Sequence, residues 1–341
     1  MSFNVQLNLP KANGELTSAA NTRVRAVVAE ITSYLPDVIG LQEDTKTWND
    51  ELATLLDGYT AVQDTTVTVS GAERCAIWYK SSLECLESGH QPLWADEAET
   101  VLTVADLTDG DGKYDLSPED LEVLGLSANS DNSELKKERE YTQSNGNVIK
   151  YHYLATRRMT YAVLNIDGHP VICVNTHLQE RSQDATYMTT ALTKLRNYAR
   201  MAQFDMIQKK IDELQEKYPE AVVTLTGNFN DVVGSDVYKA AAKIYQDSAT
   251  SAAQVKGEEG TWNAYFGSVD KQGDCYPNTN VSAQSKISLD FCWVSKNADI
   301  VFYCSGVGYA TVAAEDGTKK TVYTSDHRLI VSDIRFSFVQ N

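Results

Sequence analysis

The chain has 341 residues, 42% hydrophobic and 23% charged, with only 7 prolines, which excludes collagen-like, coiled-coil and disordered classes and leaves one large α/β domain or two smaller ones. Thirty Lys and Arg against 47 Asp and Glu give a formal charge of −17, so the mean field repels polyanions and non-specific duplex binding is disfavoured. No apolar run approaches the roughly 18 residues of a membrane helix, and the 6 cysteines, with no C-x-x-C pair, fit neither a disulfide scaffold nor a zinc or dithiol motif.

Over residues 17–35, Val24, Val27, Val28, Ile31 and Leu35 recur at helical spacing and Pro36 supplies a stop, so a helix is expected. Residues 38–41 read as a short buried strand, 48–56 as a helix and 75–79 as a strand. Residues 95–156 are acidic and poor in β-branched runs, with Asp106, Asp109, Asp111 and Asp115 around Gly110 and Gly112; the stretch reads as an insertion. Placing Asp111 and Gly112 at positions 5 and 6 of a calcium-binding EF loop puts Leu107 and Pro118 at positions 1 and 12, so that frame fails. A solvated acidic turn or a substrate-selecting flap is favoured over a calcium site, which stays the lesser alternative.

A strand pair is expected at 161–166 and 170–176 around Asp167-Gly168. A long helix at about 184–217 follows, with Met188, Leu192, Leu195, Ala199, Met206, Ile207 and Leu214 mostly on one stripe. An apolar run at 221–225 and strands at 288–294, 300–303 and 328–334 complete the chain. Helices interleaved with short apolar runs argue for layered α/β architecture, and no Pro- or Ser-rich linker divides it, so one domain over 1–341 is expected. Trp48, Trp78, Trp94, Trp262 and Trp293 read as core or pocket wall, and Cys173 and Cys292 as buried thiols within strands. The opening Met-Ser-Phe-Asn-Val-Gln shows no leader pattern; removal of a leader would point to a secreted or extracytoplasmic protein.

Several expected strands end in polar residues suited to metal binding or proton transfer: Gln42-Glu43, Asn175-Thr176-His177, Asn228-Phe229-Asn230, Leu289-Asp290 and Asp326-His327. Catalytic groups collect at such ends because a rigid sheet holds the loops. The bland reading of a single histidine after a strand is a structural hydrogen bond. Five such ends, in this order and context, resemble the endonuclease/exonuclease/phosphatase superfamily, whose fold is named after DNase I. The resemblance begins at Phe3-Asn4-Val5 and includes Pro36-Asp37-Val38-Ile39-Gly40-Leu41-Gln42-Glu43, Val174-Asn175-Thr176-His177-Leu178, Gly227-Asn228-Phe229-Asn230, Leu289-Asp290-Phe291 and Ser325-Asp326-His327.

That resemblance implies a four-layer α/β sandwich, two packed mixed β-sheets flanked by helices. It also implies hydrolysis of a phosphomonoester or phosphodiester, with Mg²⁺ as cofactor and Mn²⁺ as its substitute. Hard oxygen donors suit Mg²⁺. Glu43 is the implied principal ligand; Asp44 would point the other way in an extended segment. Asn4, beside Glu43, is the second implied metal residue, with Asp326 in or next to the metal shell. His327, oriented by Asp290, and His177 would flank the phosphate, and Asn230 would hydrogen-bond phosphate or nucleophile. Of the adjacent Arg157 and Arg158, Arg158 is favoured as the phosphate contact, since a guanidinium matches phosphate bidentately; the bland reading has both covering acidic surface.

One position departs from the family. Where its members carry an Asp that positions or deprotonates the attacking water, this chain has Asn228, nearly the same shape but with no basic site near neutral pH. An engineered replacement, a naturally inactive binding protein and a substitute base elsewhere are the three explanations. The acidic charge favours a small-molecule or lipid-linked phosphate ester over nucleic acid as substrate, and a monomer is expected. A metal-dependent nuclease and a catalytically inactive phosphate-binding protein are the alternatives.

Overall fold

A computed structural model describes the chain apart from residues 8, 10, 68–70, 94–101, 182–188, 258–259, 264–266, 270–274, 278–285 and 337–341. In chain order, the strands of its two large sheets are β1 (Ser2–Asn4), β2 (Val38–Gln42), β3 (Tyr59–Val62), β4 (Ile77–Lys80), β5 (Glu84–Pro92), β6 (Arg158–Ile166), β7 (His169–His177), β8 (Val222–Asn228), β9 (Tyr245–Asp247), β10 (Gln254–Gly257), β11 (Asp290–Ser295), β12 (Asp299–Ser305) and β13 (Ile330–Arg335). The main helices are α1 (Ser18–Tyr34), α2 (Lys46–Leu55), α3 (Pro118–Leu124), α4 (Thr190–Lys217) and α5 (Asp236–Ile244). One sheet runs β10-β12-β13-β1-β2-β4-β3 and the other β9-β11-β8-β7-β6-β5. Both mix parallel pairs, such as β1 with β2 and β7 with β8, and antiparallel ones.

Alternation along the central strands assigns the layers. On β7, Ile172 and Val174 pack toward helices while Val171 and Cys173 pack toward the other sheet. On β11, Phe291 and Trp293 divide from Cys292 and Val294 in the same way. This period of two is what a strand covered on both faces requires. Val24, Val27 and Ile31 of α1 and Trp48 and Leu52 of α2 cover Phe3, Ile39 and Leu41 of the first sheet. Phe204, Ile207, Ile211 and Leu214 of α4 cover Val223, Leu225 and Phe291 of the second. The result is the expected helix–sheet–sheet–helix sandwich, with each large side chain so buried contributing roughly 1.5–3 kcal/mol.

Helix α1 starts where Thr17 accepts a hydrogen bond from the Ala20 amide and stops at Leu35 in a left-handed cap, before Pro36. Leu35 is therefore exposed rather than part of the buried stripe. The expected helix start at 184, Met188 and Trp94 lie outside the described residues. Within 102–156, Leu102, Leu107, Leu116, Leu124 and Tyr153 form a cluster of their own on Leu192, Leu195 and Ala199 of α4. In its acidic turn the Asp115 carboxylate accepts from the amides of Gly110 and Gly112 at 2.9 and 2.6 Å.

A buried amide pair locks the two sheets together just below the polar strand ends. Asn175 of β7 accepts from Gln42 Nε2 at 2.6 Å and donates to the Leu41 and Ala76 carbonyls of the other sheet at 2.7 and 3.1 Å. Gly40 makes room for it: a Cβ there would come within 2.5 Å of Asn175 Oδ1.

Candidate active site

Strand register in the second sheet aligns Arg158, His177, Asn228 and Asp290 as one row across β6, β7, β8 and β11. Residues paired in this way project from the same face. The row stands at the carboxyl ends of β7 and β8, and His177, Asn228 and Asp290 are all buried. Beyond β8, Asn230 takes φ +53°, a left-handed conformation that Asn tolerates. This turn aims its backbone N–H at Asn228 Oδ1, 2.8 Å away, and its Nδ2 at His177 Nε2 and the Leu178 carbonyl, both at 2.9 Å.

The first sheet supplies the carboxylates. Asn4 and Gln42 are register partners on β1 and β2, and Glu43 follows with φ +59°. That turn ends the strand alternation, so Asp44 does not lie on the opposite face of an extended segment. It folds back into the core, where Asn49 Nδ2 and the Ala76 amide donate to it at 2.9 and 3.0 Å and burial pushes its carboxyl up to about 8. Glu43 Oε1 accepts from Asn4 Nδ2 at 3.0 Å and Oε2 from the Leu7 amide at 2.9 Å. Because Asn4 Oδ1 accepts from the Gln6 amide at 3.0 Å, Asn4 orients Glu43 through its amide nitrogen. Asp326, just before β13, accepts from Ser325 Oγ at 3.2 Å. Its carboxyl is raised by burial and further by the charge of Glu43, against the pull of His327.

Two carboxylate–histidine pairs join the sheets across this cleft. His327 Nδ1 lies 2.7 Å from Asp290 Oδ2, which also accepts from Thr261 Oγ1 at 2.6 Å. Burial alone would push the His327 imidazole down, but Asp290, Asp326 and Glu43 together raise it to about 9, so it is an imidazolium at neutral pH. The second pair contains Glu73, which the sequence does not single out. Glu73 Oε1 accepts from the Glu43 amide at 2.7 Å and from His177 Nδ1 at 2.9 Å. Burial would raise this carboxyl, but the charge and hydrogen bond of His177, with Arg157, hold it at about 2.

The adjacent arginines divide differently from the sequence expectation. Arg158 stands in the row but its guanidinium pairs with buried Asp64, which His90 also approaches at 3.4 Å. Arg157 enters the cleft instead, with Nη1 3.2 Å from His177 Nδ1 and 3.6 Å from Glu73 Oε2, and its buried Nε has no hydrogen-bond partner among the described residues. A guanidinium beside two polar strand ends suits an anionic ligand oxygen. The structure thus brings Asn4, Glu43, Asp290, Asp326 and His327 together on one side and His177, Asn228 and Asn230 on the other. It adds Glu73, Thr261 and Arg157 and turns the Arg158 guanidinium aside. Glu73 and Thr261 sit on connecting loops with no periodicity; an acidic residue just before an expected strand is the only signal for the former.

The donor chemistry also fits a hard divalent cation. Glu43 and Asp326 offer carboxylate oxygens to one side of the cleft; burial raises Asp326 first and the charge of Glu43 adds to it, and a bound cation would relieve the second of these.

Solved structures share this architecture. An endonuclease/exonuclease/phosphatase family protein from Bacteroides thetaiotaomicron superposes with a TM-score of 0.63 at 16% identity, covering 98% of this chain and 96% of that one. A mannosyl-6-phosphatase from the same species gives 0.61 at 16% identity, covering 98% of both chains. Truncated TDP2 from Caenorhabditis elegans gives 0.52 at 15%, covering 93% and 90%. At such identities the likeness concerns the fold alone. No curated protein sequence matches the chain. The sequence profile of the endonuclease/exonuclease/phosphatase family, however, matches residues 1–327, a span that includes every motif residue from Asn4 to His327, and the chain accordingly belongs to this family of phosphate-ester hydrolases.

Proposed function

We propose that the protein is a Mg²⁺-dependent phosphoesterase acting on a small or lipid-linked phosphate ester, and that Asn228 weakens its chemical step. The observation that carries this reading is the pair of cross-sheet bridges, Asp290–His327 and Glu73–His177, which present two imidazoles and the Arg157 guanidinium to one cleft beside Glu43 and Asp326. Glu43 and Asp326 would hold the ion, with Asn4 orienting Glu43. A bound Mg²⁺ supplies charge neutralisation at the phosphate and leaving oxygens.

The chain's own groups do the rest. His327, charged and pinned by Asp290, donates to a phosphate oxygen. Arg157 offers its guanidinium to another. Asn230 and His177 fix the substrate from the second sheet. Asn228, next to His177 in the row, orients the attacking water but has no site to take its proton. Arg157 and Arg158 are both already paired with carboxylates, and the chain carries −17 overall. That balance favours a compact phosphate ester over a polyanion. Since a mannosyl-6-phosphatase shares the fold, sugar monophosphates are the first class to try.

The test is a panel of sugar phosphates, lipid phosphates, simple phosphodiesters and single- and double-stranded DNA, run with the chain and with Asn228→Asp, in Mg²⁺ and in chelator. Mg²⁺-dependent hydrolysis of a small or lipid-linked ester is expected. Faster cleavage of DNA than of any such ester would replace this reading with a nuclease. Binding of phosphate without turnover by either form would replace it with a phosphate-binding protein.

A further inference from the structure

The turn that follows β1 lies directly over Glu43, and a side chain from a different layer holds it there. Gln6 takes φ +59°, a conformation uncommon outside glycine and one that persists only where the surroundings impose it. Arg23 of α1 reaches this turn with three contacts: Nη2 donates to the carbonyls of Val5 and Gln6, the latter at 2.7 Å, and Nη1 donates to Gln6 Oε1 at 3.1 Å. The guanidinium also lies 5.0 Å from the ring centre of buried Trp48, whose Nε1 donates to the same Gln6 carbonyl at 2.9 Å. On its far side the turn sends the Leu7 amide to Glu43 Oε2 and the Gln6 amide to Asn4 Oδ1, which leaves Asn4 Nδ2 to bind Glu43 Oε1.

We infer that Arg23 is the positioning residue of the cation site: with Trp48 beneath it, its planar fork fixes the Gln6 turn, and the turn fixes both oxygens of Glu43. The inference rests on the reading of Glu43 as the cation ligand. It favours a guanidinium, because two separate nitrogens in a fixed plane serve the Gln6 side chain and the two carbonyls together, whereas a lysine ammonium offers one nitrogen on a flexible stem. It also makes a prediction opposite in sign to simple electrostatics. Arg23 is a cation near the bound cation, so charge alone predicts that its removal tightens Mg²⁺ binding, whereas positioning predicts that removal weakens it.

Titration calorimetry with Mg²⁺, repeated with Mn²⁺, on the full chain and on Arg23→Lys, Arg23→Met, Glu43→Gln and the Arg23→Met/Glu43→Gln double variant decides the matter. Thermal melts establish that each variant is folded. Both Arg23 substitutions are expected to weaken binding by roughly tenfold to a hundredfold, the usual effect of losing a residue that orients a ligand. Arg23→Met should add little once Glu43 is already Gln, because the two act on one carboxylate. Wild-type affinity in Arg23→Lys, tighter binding in Arg23→Met, or fully additive losses in the double variant would each overturn the inference. If Arg23→Met does not fold, the comparison of wild type with Arg23→Lys decides the question by itself. Unchanged affinity in Glu43→Gln, or no binding by the wild type, would instead overturn the cation-site reading and the inference with it.

Discussion

The two carboxylate–histidine bridges look alike but hold different things. Asp290 takes its hydrogen bonds from His327 and from Thr261, so its charge is directed at one imidazole, which rises to about 9. Glu73 divides itself among His177, Arg157 and the backbone of Glu43. Its own carboxyl falls to about 2, and what it fixes is the separation between the Glu43 side of the cleft and the His177 side. One bridge sets a charge; the other sets a distance. Asn228 stands between the two in strand register, paired with His177 on one side and Asp290 on the other.

The largest expected effect therefore belongs to the residue between the bridges. Asn228→Asp should raise the rate by about 10² to 10⁴, the span of a general base, with little change in substrate affinity. The near-isosteric carboxylate can keep the hydrogen bond from the Asn230 amide. Equal rates for the two forms on the best substrate would remove position 228 from the role of base and move it to His177 or to a metal-bound hydroxide.

In the Asn228→Asp background, His177→Ala and His327→Ala should each lower activity by on the order of 10² or more, and their pH behaviour separates the bridges. The His327 imidazolium is present below about 9 and is lost as pH rises through that value, so activity should decline on the alkaline side. Asp290→Asn removes the charge that raises His327 and leaves the burial that lowers it, so the alkaline limb should move to lower pH. Glu73→Gln should lower the rate without moving that limb. If the limb stays fixed in Asp290→Asn, the two bridges do not differ as described.

A smaller effect distinguishes the arginines. Arg157→Ala should reduce kcat/KM by about tenfold to a hundredfold, the 1.5–3 kcal/mol of a hydrogen bond to a charged group. Arg158→Ala should cost stability instead, because it leaves Asp64 buried without its guanidinium. The reverse pattern in steady-state kinetics and urea unfolding would return the phosphate contact to Arg158.

What the sequence made legible follows the same division. The row on the second sheet and the Glu43 and Asp326-His327 ends belong to strands whose apolar runs and polar ends stand out, so both the layers and the motif positions could be read in order. Glu73 could not, because its partners are 30 and 104 residues away and its loop has no period. Adjacent arginines are ambiguous for a related reason: which guanidinium reaches the cleft depends on Asp64, more than 90 residues earlier. Strand β5 escapes notice because it is an edge with an exposed–intermediate alternation and no apolar run. The stretch 102–156 reads in sequence only as an acidic insertion because its leucines are widely spaced and become a cluster only against α4.

Another buried carboxylate, outside the cleft, sharpens the comparison while leaving the rate untouched. Glu30 of α1 is 5% exposed, and its Oε1 accepts from the Gly308 amide at 3.1 Å. Burial raises it from its ordinary 4.5 to about 7, with Thr324, Gly308 and Arg328 only partly offsetting the effect. A folded-state value above the unfolded one means that folding favours the neutral form. The contribution is fully present below about pH 4.5 and is lost as pH rises through about 7, with an upper limit of roughly 3 kcal/mol by linkage. Glu73 has the opposite sign: its contribution is present above about 4.5 and is lost only as pH falls through about 2. Urea unfolding of wild type and Glu30→Gln at pH 5 and pH 8 isolates the effect, since Asp44 and His327 are common to both and cancel in the difference. The gap between wild type and Glu30→Gln should shift toward the variant at pH 8. A flat gap would mean that Gly308, Thr324 and Arg328 offset the burial of Glu30 fully, and that burial does not govern its charge.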